Sequence, residues 1–210
     1  PSFKIIVILA SIGSLGPFAV DTYLPALPGM VEALGTTTGM IQWTLAAYLI
    51  GLAIFPLFLA PLSDAIGRKP ILYWALAAFV VISALCAFAP NVEALIGLRL
   101  AQAAAGGTVM TVARAVLADL YRGDTLSRAM SYLMLVFTTA PIVAPLFGGV
   151  ILEFGGWRWV FGFLSLIALV IMFAALALPE SVPESARRKF SISEAALGYI
   201  GIAKSRLARG

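Results

Sequence analysis

Between Glu32 and Asp64 the chain carries no charged residue, and the same holds from Lys69 to Glu93, Arg128 to Glu153 and Arg158 to Glu180. Two further stretches are nearly as bare: Ile5 to Pro28 contains only Asp21, and Ala94 to Ala118 only Arg99 and Arg114. Each is long enough to cross a hydrocarbon core of about 30 Å as a helix. A helix satisfies its own N–H and C=O groups, which lipid demands. Of the 210 residues 61% are hydrophobic and 11% charged, against about 45–50% and about 25% in soluble domains. Six such runs leave too little polar surface for a soluble fold, so the expectation is an all-α polytopic membrane protein.

The charge pattern refines this. The net charge of +4 suggests nucleic acid until its placement is considered. Lys4, Arg68, Lys69, Arg114, Arg122, Arg128, Arg187, Arg188, Lys189, Lys204, Arg206 and Arg209 fall on one side of the spans, whereas only Arg99 and Arg158 belong to the other. Twelve basic residues against two predict that both termini are cytoplasmic, and an even number of spans agrees. No nucleic-acid partner is expected. A single cysteine, Cys86, allows no internal disulfide and reads as a small buried apolar residue. Without histidine, imidazole-based metal sites and Ser-His-Asp hydrolysis are excluded; no metal or cofactor is expected, and no enzyme. The opening on Pro1 points to a lost initiator Met, and the first run reads as a span rather than a cleaved signal.

Residues 1–179 are thus expected to form the membrane domain and 180–210 a basic, amphipathic cytoplasmic linker. The spans are predicted at about 5–27 (bent by Pro17), 40–63, 71–89, 93–116, 128–152 and 157–178. An external loop is expected over 28–39 and a longer cytoplasmic one from Asp119 to Ser127. Ser191 followed by Glu194 forms a capping-box pattern, opening a short surface helix to about Arg206.

An ionisable group within a span is a functional candidate by default. Asp21 lies roughly 9 Å below the outer end of its helix, and Arg99 at a similar depth in an antiparallel one. The two are expected to share a cavity. Burial there favours the neutral acid and the arginine favours its anion, so Asp21 could exchange a proton as its surroundings change. A structural ion pair, or an Arg99 reaching headgroups, is the plainer reading. Asp64, Gly67, Arg68, Lys69, Arg114 and Asp119 gather near the opposite end as a candidate gate latch, or as simple topology charge. Tyr23, Trp43, Tyr48, Gln102 and Met110 are candidates for lining a substrate cavity, with packing as the alternative. Pro141, Pro145 and Gly149 repeat at i, i+4 and i+8 with Gly148 beside them, predicting close helix approach.

Several motifs resemble those of the major facilitator superfamily, specifically the first half of drug-resistance antiporters of the Bcr/CflA type. Ala60-Pro-Leu-Ser-Asp64-Ala-Ile-Gly67-Arg68-Lys69-Pro70 resembles the loop signature between the second and third helices. Arg99-Leu-Ala-Gln102 is similar to the fourth-helix signature, whose arginine is linked to proton coupling. Ala140-Pro-Ile-Val-Ala-Pro145-Leu-Phe-Gly148-Gly149 resembles the fifth-helix antiporter motif. Asp21-Thr-Tyr23-Leu-Pro25-Ala-Leu-Pro28 is similar to the first-helix motif, and Gly156-Trp157-Arg158 also fits.

The resemblance implies one half of a transporter, built of two three-helix repeats. It implies proton-coupled efflux of small amphipathic drugs, such as phenicol- or bicyclomycin-like antibiotics, across the bacterial inner membrane by alternating access. The proton gradient would be the energy source, and protons, membrane lipid and the drug the partners. A second six-helix half is then missing, unless the chain pairs with itself or with another half. Ala60, Ala103 and Ala144 stand where glycine is usual, and Ala65 where arginine is usual; these predict looser helix contacts and a thinner gate network. Two other functions stay open. One is a metabolite or polyamine-like carrier not coupled through Asp21, the other a non-transporting scaffold or partner subunit.

Overall fold

The computed structural model describes residues 3–183, 185 and 187. These form seven α-helices: α1 (Phe3–Asp21), α2 (Leu27–Ala33), α3 (Thr38–Ile66), α4 (Arg68–Ala87), α5 (Val92–Leu120), α6 (Gly123–Gly155) and α7 (Trp157–Ala174). A 3-10 turn at Leu24–Ala26 joins α1 to α2, and another at Ala175–Ala177 extends α7. Together they supply six helical segments long and apolar enough to cross a membrane. The surface helix expected from Ser191 lies outside the described residues.

The first span is not a single bent helix. Pro17 is accommodated inside α1, and the interruption falls at Thr22 and Tyr23 instead. Pro25 and Pro28 lie just beyond it, and each lacks the N–H that would continue the hydrogen-bond ladder of α1 through this stretch. Both sit in the opening positions of the next helical piece, where a missing N–H costs nothing. The helix then resumes through the expected loop to Ala33, so the connection to α3 shrinks to 34–37. Likewise the loop expected from Asp119 to Ser127 is only Tyr121 and Arg122.

The spans pack as two related triplets, α1–α3–α4 and α5–α6–α7. Exchanging the triplets maps α3–α5, the most extensive contact, onto α1–α6, the next, and maps α1–α5 and α4–α7 onto themselves; only the α4–α5 contact has a much slighter counterpart, in α1–α7. The second and third spans of each triplet are joined by one glycine with positive φ, Gly67 (φ 120°) and Gly156 (φ 74°). Such backbone is strained for any residue with a Cβ.

Small residues set the crossings. A methyl built on Gly107 would stand 2.7 Å from the Pro56 ring, and one on Gly51 2.6 Å from the Ala103 methyl. Ala103 therefore does not loosen α5 from α3, because Gly51 supplies the space on the facing helix. On α6 the buried stripe is Ala140, Ala144 and Gly148, not Pro141, Pro145 and Gly149. Pro141 is exposed and a Cβ on Gly149 meets nothing within 4 Å, whereas one on Gly148 would lie 2.3 Å from the Thr22 carbonyl oxygen. The interruption after α1 is what brings that carbonyl against α6. Antiparallel α4 and α7 are held in register by Tyr73 Oη donating to Met172 O (3.0 Å) and Ser165 Oγ to Val80 O (2.9 Å).

Candidate functional site

Arg99 lies wholly buried on α5, the largest fully buried side chain in the bundle. Five elements converge on it. Tyr23 follows α1, Tyr48 comes from α3, Ser83 from α4, Gln102 from α5 and Phe161 from α7. The guanidinium carbon stands 4.0 Å from the Tyr48 ring centroid, 4.6 Å from Tyr23 and 5.7 Å from Phe161. Ring faces attract a cation, about 0.5–2 kcal/mol each, more as water is removed. Gln102, one turn along α5, accepts from Arg99 Nη1 at 2.6 Å and passes a 2.7 Å hydrogen bond to Ser83 Oγ.

The rings are themselves fixed. Tyr48 donates to the Gly16 carbonyl at 3.0 Å, and the hydroxyls of Tyr23 and Thr44 are hydrogen-bonded. Among the described residues, Nε and Nη2 of Arg99 have no hydrogen-bond partner. A buried cation with open donors is costly to hold, and among the described residues no carboxylate offsets that cost; the rings and Gln102 do so in part.

Asp21 does not neutralise Arg99. Its residue is half-exposed at the end of α1, and among the described residues it has no hydrogen-bond or ion-pair partner. Ser11, Ser14, Phe18 and Asp21 share one side of α1, all of them half-exposed. The acid and the base expected in one site are thus linked only through Tyr23, two residues beyond Asp21, whose ring rests on Arg99. Among the expected cavity residues, Tyr23, Tyr48 and Gln102 are gathered around the guanidinium. Trp43 is 57% exposed on α3, and Met110 sits half-buried about three turns along α5.

The other end of the bundle holds a second cluster. Arg68, at the start of α4, is ion-paired with Asp64 Oδ1 at 2.5 Å and Asp119 Oδ2 at 3.1 Å. Its Nη1 also reaches Ser63 Oγ at 2.6 Å. Three residues missed in the sequence complete the arrangement: Ser63, Ser181, which donates to Asp119 at 3.0 Å, and Glu180. The Glu180 carboxylate accepts the backbone N–H groups of Arg68 (3.0 Å) and Lys69 (3.2 Å), capping α4.

Lys69 Nζ turns the other way and donates to Leu178 O (2.6 Å) and Leu176 O (3.2 Å), the end of the last span. Gly67 leaves the space: a Cβ there would stand 2.8 Å from Glu180 Oε2. Arg114 does not join the cluster. Its guanidinium carbon lies 5.6 Å from the Phe137 ring centroid, with Nε buried and, among the described residues, without a hydrogen-bond partner. The signal for Glu180 was available, as the first acid after the uncharged final span.

Comparison with known proteins agrees with this architecture. The chain is 34% identical over 192 residues to a bicyclomycin resistance protein homolog of Haemophilus influenzae, covering 90% of this chain and 46% of that protein. It is 36% identical over 162 residues to a chloramphenicol resistance protein of Pseudomonas aeruginosa, covering 77% and 39% respectively. The chain thus spans less than half the length of these relatives. A proton:xylose symporter superposes with a TM-score of 0.77 at 16% identity, over 85% of this chain and 45% of that one, which shows shared fold. The family model described as Major Facilitator Superfamily matches residues 9–207, and the chain belongs to that superfamily.

Proposed function

We propose that this chain is the N-terminal half of a proton-coupled exporter of small amphipathic drugs, with both termini cytoplasmic in a bacterial inner membrane. The observation that carries the reading is Arg99, a desolvated guanidinium with two open N–H groups inside an aromatic pocket. The names of the two relatives above support the substrate class, phenicol- or bicyclomycin-like molecules. A second six-helix half would close over the side of α1 that bears Ser11, Ser14 and Asp21.

In this reading Asp21 carries the proton and Arg99 responds to its charge. Ionised Asp21 draws on the guanidinium through the Tyr23 edge of the pocket, and protonated Asp21 releases it. Tyr23, Tyr48 and Gln102 hold the guanidinium so that the response is transmitted into α3 and α5 rather than lost to solvent. Trp43 and Met110 would meet the drug from the faces of α3 and α5 left open here. Asp64, Arg68 and Asp119 act as the cytoplasmic latch of one conformation, positioned by Gly67 and Lys69. Arg114 stands apart from the latch, on the route between it and Arg99.

The test is drug-driven proton movement in proteoliposomes holding the full-length protein, with chloramphenicol as the probe. Proton release on chloramphenicol addition, lost in Asp21→Asn while chloramphenicol is still bound, is the expected result. Undiminished release by Asp21→Asn would remove the coupling role. Transport of chloramphenicol without proton movement by the parent would favour an uncoupled carrier instead.

A further inference from the structure

A groove of about 410 Å3 runs between the C-terminal turns of α4 and the N-terminal half of α7, at the opposite end of the bundle from Arg68. Its floor is made of small residues, Ala84, Ala87 and Gly162, and its walls of Phe88 and Trp159, which are 81% and 66% exposed. A Cβ on Gly162 would meet nothing within 4 Å, so the missing side chain opens the groove rather than admitting a neighbouring helix. Arg158 lies at its mouth, its guanidinium carbon 4.3 Å from the Trp157 ring centroid. The same side chain makes one long hydrogen bond, 3.4 Å, to Ala89 O. Among the described residues it has no carboxylate partner.

From this geometry we infer a binding site for one anionic glycerophospholipid, its phosphodiester on Arg158 and an acyl chain along Gly162. Charge and shape select that occupant together. The trough is apolar along its length, as an acyl chain requires, and ends on an exposed, unneutralised cation beside an exposed indole, where a headgroup region would lie. A guanidinium at the mouth of such a trough can hold a phosphodiester through charge-assisted hydrogen bonds. A peptide would need partners for its N–H and C=O groups, and the floor offers none. The stacking of Arg158 on buried Trp157 fixes the cation above the groove instead of leaving it to swing in solvent.

Native mass spectrometry of the detergent-purified full-length protein tests the site, with phosphatidylglycerol and phosphatidylethanolamine of matched acyl chains as probes. The parent should retain one phosphatidylglycerol about fivefold more strongly than phosphatidylethanolamine. Arg158→Gln should abolish that preference, and Gly162→Leu, which fills the trough without touching the bundle interior, should abolish retention of both. Thermal unfolding in lipid-free detergent should show both variants as stable as the parent. Equal retention of the two lipids by the parent, or an unchanged preference in Arg158→Gln, overturns the assignment. So does crosslinking of Phe88→Cys to the second half in the full-length protein, because the trough is then covered by protein.

Discussion

Lys69 and Glu180 cap each other's helices. The Glu180 carboxylate accepts the Lys69 backbone N–H at the start of α4, and the Lys69 ammonium donates to Leu178 O at the end of the last span. One short stretch of sequence thereby fastens the third span to the sixth, using groups that every helix terminus leaves open. Glu180→Ala should lower stability by about 1 kcal/mol, the usual cost of a lost cap. Thermal unfolding in detergent reads this, and an unchanged midpoint would mean that water serves α4 equally well.

Arg68 uses two faces of its guanidinium, Nε toward Asp119 and Nη1 toward Asp64 and Ser63. An ammonium cannot reach all three from one point. Arg68→Lys should therefore cost about 1 kcal/mol although the charge is kept. A double-mutant cycle with Asp119→Asn should show coupling between positions 68 and 119 in the parent that is absent with lysine.

The stripe on α6 offers a paired test. Gly148→Ala puts a methyl where the Thr22 carbonyl already lies, and should destabilise by about 1–3 kcal/mol. Gly149→Ala, one residue along, meets open space and should leave the unfolding midpoint within error of the parent. Equal effects at the two positions would show that the interruption after α1 does not press on α6.

Arg99→Met separates function from fold. An apolar side chain of similar length removes the cost of burying a charge but leaves Gln102 Oε1 without its donor, so stability should fall by no more than about 1–3 kcal/mol. Transport by the full-length protein should be abolished. A larger drop, read from the unfolding temperature, would show that the aromatic pocket needs its cation in order to pack.

The spans were legible because the exclusion of charge from lipid acts on composition alone, and the runs ending at Asp64 and Glu93 needed no tertiary information. Their ends were less so. Pro17 is the more conspicuous proline of the first span, yet α1 passes through it and breaks at Thr22, just ahead of Pro25 and Pro28. The polar run from Asp119 to Ser127 read as a loop because charge was equated with loop, whereas helices continue past the membrane surface wherever their ends are capped or solvated. Helix faces were harder still. Pro141, Pro145 and Gly149 recur at a convincing spacing, but Ala140, Ala144 and Gly148 recur at the same one, and only the neighbour decides between them. Nor could spacing distinguish Arg114, which sits over Phe137, from a member of the Arg68 cluster.

The single-glycine joints at Gly67 and Gly156 govern how the bundle can deform. A one-residue elbow has no slack: α3 cannot slide along α4, nor α6 along α7, without dragging its partner. Each elbow therefore ties the ends of its two spans together, and sliding must be absorbed elsewhere, at 34–37, at 88–91, at 121–122 and at the kink beyond Asp21. Lengthening either elbow by a few flexible residues would uncouple the two arms, leaving every span intact while the movement of one no longer obliges the other to follow.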